Sequence, residues 1–331
     1  MNADLPVKVA DPVLAGELAD GMASVEEQLL AAVETGNELL SSASRHLIGA
    51  GGKRLRPFLV LLGARFGDPG DPRILRSAVA MELTHIGTLY HDDIMDGAVI
   101  RRGVPSAHVL WGTAVAVRTG NFFFARASQL IAGLGDEAIG LHARTFMRLI
   151  DGQAAETAGP QSEADSLNHH FNVLGNKTAS LFTASGQMGC AMSGAAPEVT
   201  ARVARACEAW GMAYQLSDDV LDVTAESTVA GKAPGADLRE GVPTLPMLYA
   251  AHSSAPSDAR LVDLLHRGQL TDPDLHAEAL ALLREHEAID LARAEVRRWA
   301  EAARVECAGL PDIPARAVFE RLCDFVVERT L

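Results

Sequence analysis

Asp92, Asp93 and Asp96 recur, with identical spacing, as Asp218, Asp219 and Asp222. Each trio lies in an apolar stretch that reads as the end of a helix. On a helix, residues four apart share a face, with Cβ atoms about 6 Å apart. Asp92 and Asp96 therefore form one pincer, and Asp218 and Asp222 another. Six carboxylates so placed need a cation. Hard oxygen donors suit Mg²⁺, an ion that retains water and bridges carboxylates to a substrate's phosphates. A solvated acidic helix face would explain one such cluster. Two copies, flanked by His85-Ile-Gly-Thr-Leu-Tyr-His91 and by Tyr214-Gln-Leu-Ser217, do not fit that explanation.

The basic residues gather where these acids make them useful. Gly51-Gly52-Lys53-Arg54-Leu55-Arg56 puts glycines, which allow close backbone approach, before three cations. It is not a Walker A loop, because Leu47 stands where the first glycine is needed and Arg54 where Ser or Thr would bind Mg²⁺. Arg101-Arg102 follows the first Asp trio, and Lys177-Thr178 and Gly231-Lys232 flank the second. Any one of these is an ordinary surface charge. Bases interleaved with metal-holding acids imply a bound polyphosphate.

Helices must carry these groups. The chain has 331 residues, 48% of them hydrophobic, enough for a large core. Its formal net charge of -14 and pI near 5.2 argue against a nucleic-acid partner. Cys190, Cys207, Cys307 and Cys323 form no C-x-x-C pair, so neither zinc nor a disulfide framework is expected. No apolar run is long enough to span a membrane, and the first residues lack the basic start of a signal peptide, which points to the cytoplasm. Residues 1–20 read as a flexible N-terminal arm. Beyond it, Ala, Leu, Glu and Arg dominate and apolar residues recur at three and four, with no strand signal. Helices are expected near 24–48, 56–66, 72–96, 112–132, 136–157, 166–191, 198–223 and 243–252, with weaker ones at 258–265, 273–305 and 314–328. With no long linker, residues 21–331 read as a single all-α domain, a large helical bundle.

The ordered set GGKRLRP, ELTHIGTLYHDDIMD, RRGVPSAH, NKTASL, YQLSDDVLD and GKAPGADLREGVPTLP, running from about Gly51 to Pro246, resembles the trans-isoprenyl diphosphate synthases, or polyprenyl synthetases, of the medium- and long-chain type. The arm and the C-terminal region match only in helical texture. The resemblance implies a bundle of the isoprenoid synthase type with a central cavity. It also implies a prenyltransferase that joins isopentenyl diphosphate head-to-tail to an allylic diphosphate, and a homodimeric active form.

In that family picture Mg²⁺, three ions with diphosphate bound, is held by Asp92, Asp96 and Asp218, with Asp93, Asp219 and Asp222 completing the clusters. Lys177, Lys232 and Arg101 take the remaining allylic diphosphate charge, and Lys53, Arg56, His85 and Arg102 hold isopentenyl diphosphate. The Lys177 carbonyl, the Thr178 hydroxyl and the Gln215 side chain steady the allylic cation. Departing diphosphate takes the final proton, so no protein base is needed.

Product length is expected to follow from the helix leading to the first trio. Short-chain relatives carry a bulky aromatic four or five residues before it, where this chain has Thr88 and Gly87. Thr84 lies one turn deeper, and Met81, eleven residues before Asp92, is the first large side chain, about 16 Å down. At roughly 5 Å per isoprene unit Met81 acts about three units down, and because methionine is flexible and can yield, an open path and a product longer than C20, of roughly C30 to C50, are expected. The small residues alternatively serve only tight packing. A long product implies at most transient membrane contact on release.

Val242 stands where many members have Lys, and Asn121 where Asp is usual. Other readings were a short-chain farnesyl or geranylgeranyl diphosphate synthase, a class I terpene cyclase, a non-catalytic subunit, and a di-iron protein suggested by Glu82-x-x-His85. The last lacks a second E-x-x-H, and a cyclase has no use for an isopentenyl diphosphate site. His91, His108, His169 and His170 are expected to be structural or at the surface, and Phe122-Phe123-Phe124 to serve packing or a dimer contact.

Overall fold

The computed structural model describes residues 5–225 and 234–330. Their secondary structure is almost wholly helical. α1 (Pro12–Ala32), α2 (Glu38–Gly49), α3 (Leu55–Gly63) and α4 (Pro72–Met95) come first. A hairpin of β1 (Ile100–Arg101) and β2 (Val104–Pro105) precedes α5 (Ala107–Trp111), α6 (Thr113–Ala132) and α7 (Asp136–Ala158). α8 (Ser166–Leu174) passes through a π turn, Gly175–Ala179, into α9 (Ser180–Ser193). Then follow α10 (Pro197–Thr224), α11 (Ala236–Glu240), α12 (Leu245–Ala251), α13 (Ala259–Leu265), α14 (Pro273–Glu285), α15 (Ala288–Ala308) and α16 (Pro314–Glu328).

Local chemistry accounts for the helix starts. Asp11, Asp71 and Asp272 each precede a proline and accept backbone N–H bonds from the first turn of α1, α4 and α14. The aspartate satisfies an orphan donor, and proline at the first position gives up none.

Four expectations need correction. The segment read as an arm is helical from Pro12 and buries Leu14 and Leu18. The helix expected over 24–48 breaks before Asn37, which caps α2 by accepting from the Leu40 N–H at 3.0 Å. The helix expected over 273–305 breaks at His286, held extended while its ring accepts from the Ala288 N–H and meets Asp258 at 3.0 Å. Strands do occur, in one short hairpin pairing Ile100 with Pro105 and Arg101 with Val104. Arg102 and Gly103 form its tip with φ of 52° and 77°, the double positive φ of a tight hairpin turn.

The described residues form two compact units. The first takes residues from 1–146, 181–205 and 307–319, the second from 147–180, 206–306 and 320–331. In the first, α4 packs along α6, and Leu29, Leu47, Phe58, Leu62, Leu83, Ile86 and Phe123 are fully buried. α3 and α9 meet backbone to backbone there: a Cβ on Gly189 would lie 2.0 Å from the Val60 carbonyl oxygen. In the second, Met212, Leu216 and Val220 of α10 pack with Leu174, Leu245 and Val296. None of the four cysteines forms a disulfide, and all are buried. No helix among the described residues is long and apolar enough to cross a membrane.

Candidate active site

Both Asp trios lie at helix C-termini, as the apolar stretches around them implied. Asp96 is the C-cap of α4, and Asp222 is in the last turn of α10. A helix C-terminus carries about half a negative charge, so carboxylates there are destabilising unless cations join them.

In the first unit, the second aspartate of the trio is already paired. Asp93 is 1% exposed and accepts from the Arg101 Nε at 2.6 Å, while Asp92 is half-buried and Asp96 exposed. The hairpin that carries Arg101 also aims Arg102 back at the glycine loop. The Arg102 guanidinium donates to the carbonyls of Leu47 and Gly51, and a Cβ on Gly52 would lie 2.8 Å from it. Gly52 is thus needed for that approach. Arg54 and Arg102 are the non-glycine residues with positive φ among the described residues, and such backbone cost is typically concentrated at functional sites.

The three cations of the glycine loop divide their roles. Arg54 is buried and donates to Glu26, to Glu82 at 3.0 Å and to the Ile48 carbonyl, which fixes the loop to the core. Glu82 thereby serves as the buried anchor of the loop. Lys53 is exposed. Arg56 donates through Nη1 to the His85 Nε2 at 3.1 Å and stacks on the Phe182 ring at 4.2 Å. Burial, and then the guanidiniums of Arg56, Arg102, Arg54 and Arg101, hold the His85 pKa well below its ordinary value. His85 is therefore a neutral acceptor that aligns Arg56. The expected isopentenyl diphosphate residues Arg56 and His85 are in contact, and Arg102 lies close enough to act on the same imidazole.

The chain-length helix differs from expectation at one point. Gly87 does not leave an open path: a Cβ there would lie 2.7 Å from the Phe124 ring of α6, which fills that side. Phe124 is backed edge-on by Phe146, with ring centroids 4.9 Å apart. Gly87 is a seat for an aromatic from the neighbouring helix. Thr88 is half-buried and donates to the His85 carbonyl at 2.7 Å. Thr84 is buried, donates to the Ala80 carbonyl and meets the His142 Nε2 at 3.1 Å. With its one proton committed, the threonine accepts and His142 donates. Met81 is fully buried. Phe123 packs on Tyr90, centroids 5.2 Å apart, as the packing reading of the Phe run expects.

In the second unit, the π turn is the feature that periodicity could not reveal. Lys177 and Thr178 sit inside it, and such turns are frequent at functional sites. Gly152 of α7 lies against it: a Cβ there would be 2.4 Å from the Lys177 backbone nitrogen. The Lys177 ammonium donates to Glu156, and the Thr178 hydroxyl donates to the Gln215 Oε1 at 3.3 Å. Two of the residues expected to face an allylic cation, Thr178 and Gln215, are thus in contact.

The second Asp trio is also engaged by protein groups. Asp219 is 4% exposed; its Oδ2 meets the His170 Nε2 at 2.8 Å and accepts from the Leu245 N–H at 3.0 Å. Asp222 accepts from the backbone of Ala236 and Asp237 at the start of α11. Asp218 pairs with Arg329, near the C-terminus. Lys232 lies outside the described residues. Val242 is exposed, as is Asn121.

His170, expected to be structural or at the surface, is buried on Asp219. The sequence did not single out Glu156, Gly152 or Arg329, because each acts through a contact distant in the chain.

Among the described residues no three His, Cys, Asp or Glu side chains converge as a metal cage. Paired aspartates at the ends of α4 and α10 nonetheless fit Mg²⁺, which takes one or two carboxylates and fills its shell with water and phosphate oxygens.

Comparison with known proteins follows this geometry. The polyprenyl synthetase family model matches residues 37–283. The chain is 42% identical over 324 residues to the nonaprenyl diphosphate synthase of Mycobacterium tuberculosis, covering 98% of this chain and 96% of that one. It is similar to the structure of geranylgeranyl pyrophosphate synthase from Corynebacterium glutamicum complexed with calcium and isoprenyl diphosphate, with TM-score 0.88, 38% identity, and coverage of 98% and 99%. It is also similar to the polyprenyl synthase of Caulobacter crescentus, again complexed with calcium and isoprenyl diphosphate, with TM-score 0.90, 30% identity, and coverage of 99% and 100%.

Proposed function

The chain belongs to the polyprenyl synthetase family and is a prenyltransferase; on that premise we propose that it joins isopentenyl diphosphate head-to-tail to an allylic diphosphate, giving an all-trans polyprenyl diphosphate of roughly C30 to C50. The observation that carries this reading is the pair of Asp trios at the C-termini of α4 and α10.

Asp92, Asp96, Asp218 and Asp222 are the residues that would hold Mg²⁺, with Asp93 and Asp219 fixing their backbones from buried pairs. The ion, when bound, supplies Lewis-acid charge to the leaving diphosphate. As the resemblance implies, Lys177, Lys232 and Arg101 would add positive charge to the allylic diphosphate, which gains charge as its C–O bond breaks. The Lys177 carbonyl, the Thr178 hydroxyl oxygen and the Gln215 carbonyl oxygen present partial negative charge to the allylic carbon. Lys53, Arg56 and Arg102 hold isopentenyl diphosphate, with His85 aligning Arg56.

A second reading, a product of about C15 to C20, is favoured by Phe124, whose ring occupies the side of α4 opened by Gly87, about 7.5 Å below Asp92. We also propose a homodimer. α6 exposes Val117, Ala125, Ser128 and Ala132 along one face, and Val109, Leu110 and Ile139 are exposed in the same unit. A second copy of the chain would cover such a surface.

Incubation with labelled isopentenyl diphosphate, Mg²⁺ and C5 to C20 allylic primers, followed by sizing of the dephosphorylated products, tests the reading. Linear chains of roughly C30 to C50 are expected. Cyclic hydrocarbon formed without isopentenyl diphosphate would overturn it.

A further inference from the structure

Arg329 lies beyond every motif that the sequence singled out, yet it reaches the first aspartate of the second trio. Its Nη2 donates to the Asp218 carboxylate and its Nη1 to the Ser217 hydroxyl, the latter at 2.9 Å. The guanidinium lies over the Tyr214 ring at 4.5 Å and over the Phe325 ring at 5.6 Å. The Arg329 side chain is 13% exposed and that of Asp218 38%. The cation is clamped, and the carboxylate it holds is partly exposed.

That arrangement serves two states of the same charge. Asp218 sits in the last two turns of α10, near the negative end of the helix dipole and beside Asp219 and Asp222. Without a metal, a cation must stand there. A metal ion bound there would take Asp218 as an oxygen ligand, and the guanidinium fork would match phosphate oxygens as well as it matches a carboxylate.

Resting on the proposed metal and diphosphate chemistry, we infer that Arg329 is a positioning residue that occupies Asp218 until diphosphate arrives, so that metal loading of the second trio is coupled to substrate binding. A charge-assisted hydrogen bond of this kind must be given up when metal binds alone, which lowers metal affinity about ten- to a hundred-fold. Diphosphate restores the affinity by giving the guanidinium a new partner. The device keeps the site from trapping a divalent ion that lacks a substrate.

The test is Mn²⁺ binding, followed by the electron paramagnetic resonance of the free ion, with and without inorganic pyrophosphate. Wild type, R329Q and R329K are compared, with circular dichroism to verify folding. Wild type is expected to bind Mn²⁺ about tenfold more tightly when pyrophosphate is present. R329Q keeps much of the stem's packing on Tyr214 but drops the charge, so it should bind Mn²⁺ alone about fivefold or more tightly than wild type and lose most of the pyrophosphate effect. R329K should restore part of the coupling. S217A, a smaller change that removes the second anchor of the same guanidinium, should move Mn²⁺ affinity in the direction of R329Q by a smaller factor. Equal binding by wild type and R329Q under both conditions would overturn the inference, as would weaker Mn²⁺ binding by R329Q without pyrophosphate. If no form binds Mn²⁺ even with pyrophosphate, the metal–diphosphate reading itself fails and the inference falls with it.

Discussion

Replacing Thr88 by phenylalanine is expected to shorten the product to about C15. Thr88 is four residues before Asp92, about 6 Å along α4, whereas Met81 is about 16 Å away. An isoprene unit spans roughly 5 Å. A ring at 88 therefore closes the path about 10 Å, roughly two isoprene units, above Met81, and stops the chain well short of it. The wild-type side chain is half-buried and its hydroxyl satisfies a helix carbonyl of its own turn, so a larger residue can project without leaving a buried group unpaired. Gly87 is not equivalent. Any side chain there begins 2.7 Å from the Phe124 ring, so bulk at 87 collides before it can act on the product. The assay is reverse-phase chromatography of dephosphorylated products from T88F and wild type, with F124A as a control for the aromatic on the facing helix. A distribution unchanged in T88F, at retained turnover, would refute the argument that this face of α4 bounds the growing chain.

Other expectations concern charge, packing and pH. Asp92→Ala and Asp218→Ala should each lower turnover about a thousandfold or more with unchanged helical content by circular dichroism, because the charge they recruit acts on the leaving group. Gly152→Ala should destabilise by about 3 kcal/mol and reduce activity, since its Cβ would strike the Lys177 backbone 2.4 Å away and neither backbone can retreat; denaturant midpoints measure the first effect. The His85 pKa is depressed in the folded protein, so below the ordinary value of 6.5 the unfolded chain takes up a proton that the folded chain refuses. Stability then falls as pH drops below 6.5, by up to about 1.4 kcal/mol per pH unit. H85N should flatten that acid limb in urea titrations between pH 6.5 and 5; an identical slope would contradict a buried neutral imidazole.

Much of the fold was legible because helix formation is local. Composition and apolar periodicity placed α4, α6, α7, α10 and α16 within a few residues of where they lie. The misplaced boundaries were those set by side chains. Asn37 starts a new helix inside one expected span, and His286 divides another while holding Asp258, a residue of a different element. The π turn around Lys177 was invisible, because a one-residue widening leaves composition and apolar spacing nearly unchanged.

The residue pattern by itself determined that paired carboxylates would end two helices and to which family the chain belongs, since identity and spacing are properties of the string. Only the folded chain decided which acids are already committed. Asp93 is held by Arg101, Asp219 by His170, and Asp218 by Arg329, a partner 111 residues away. It also decided that the vacancy at Gly87 is filled from α6. Such pairings depend on which surfaces meet when a core closes, and no local rule encodes the partner of a charge across a hundred residues of chain.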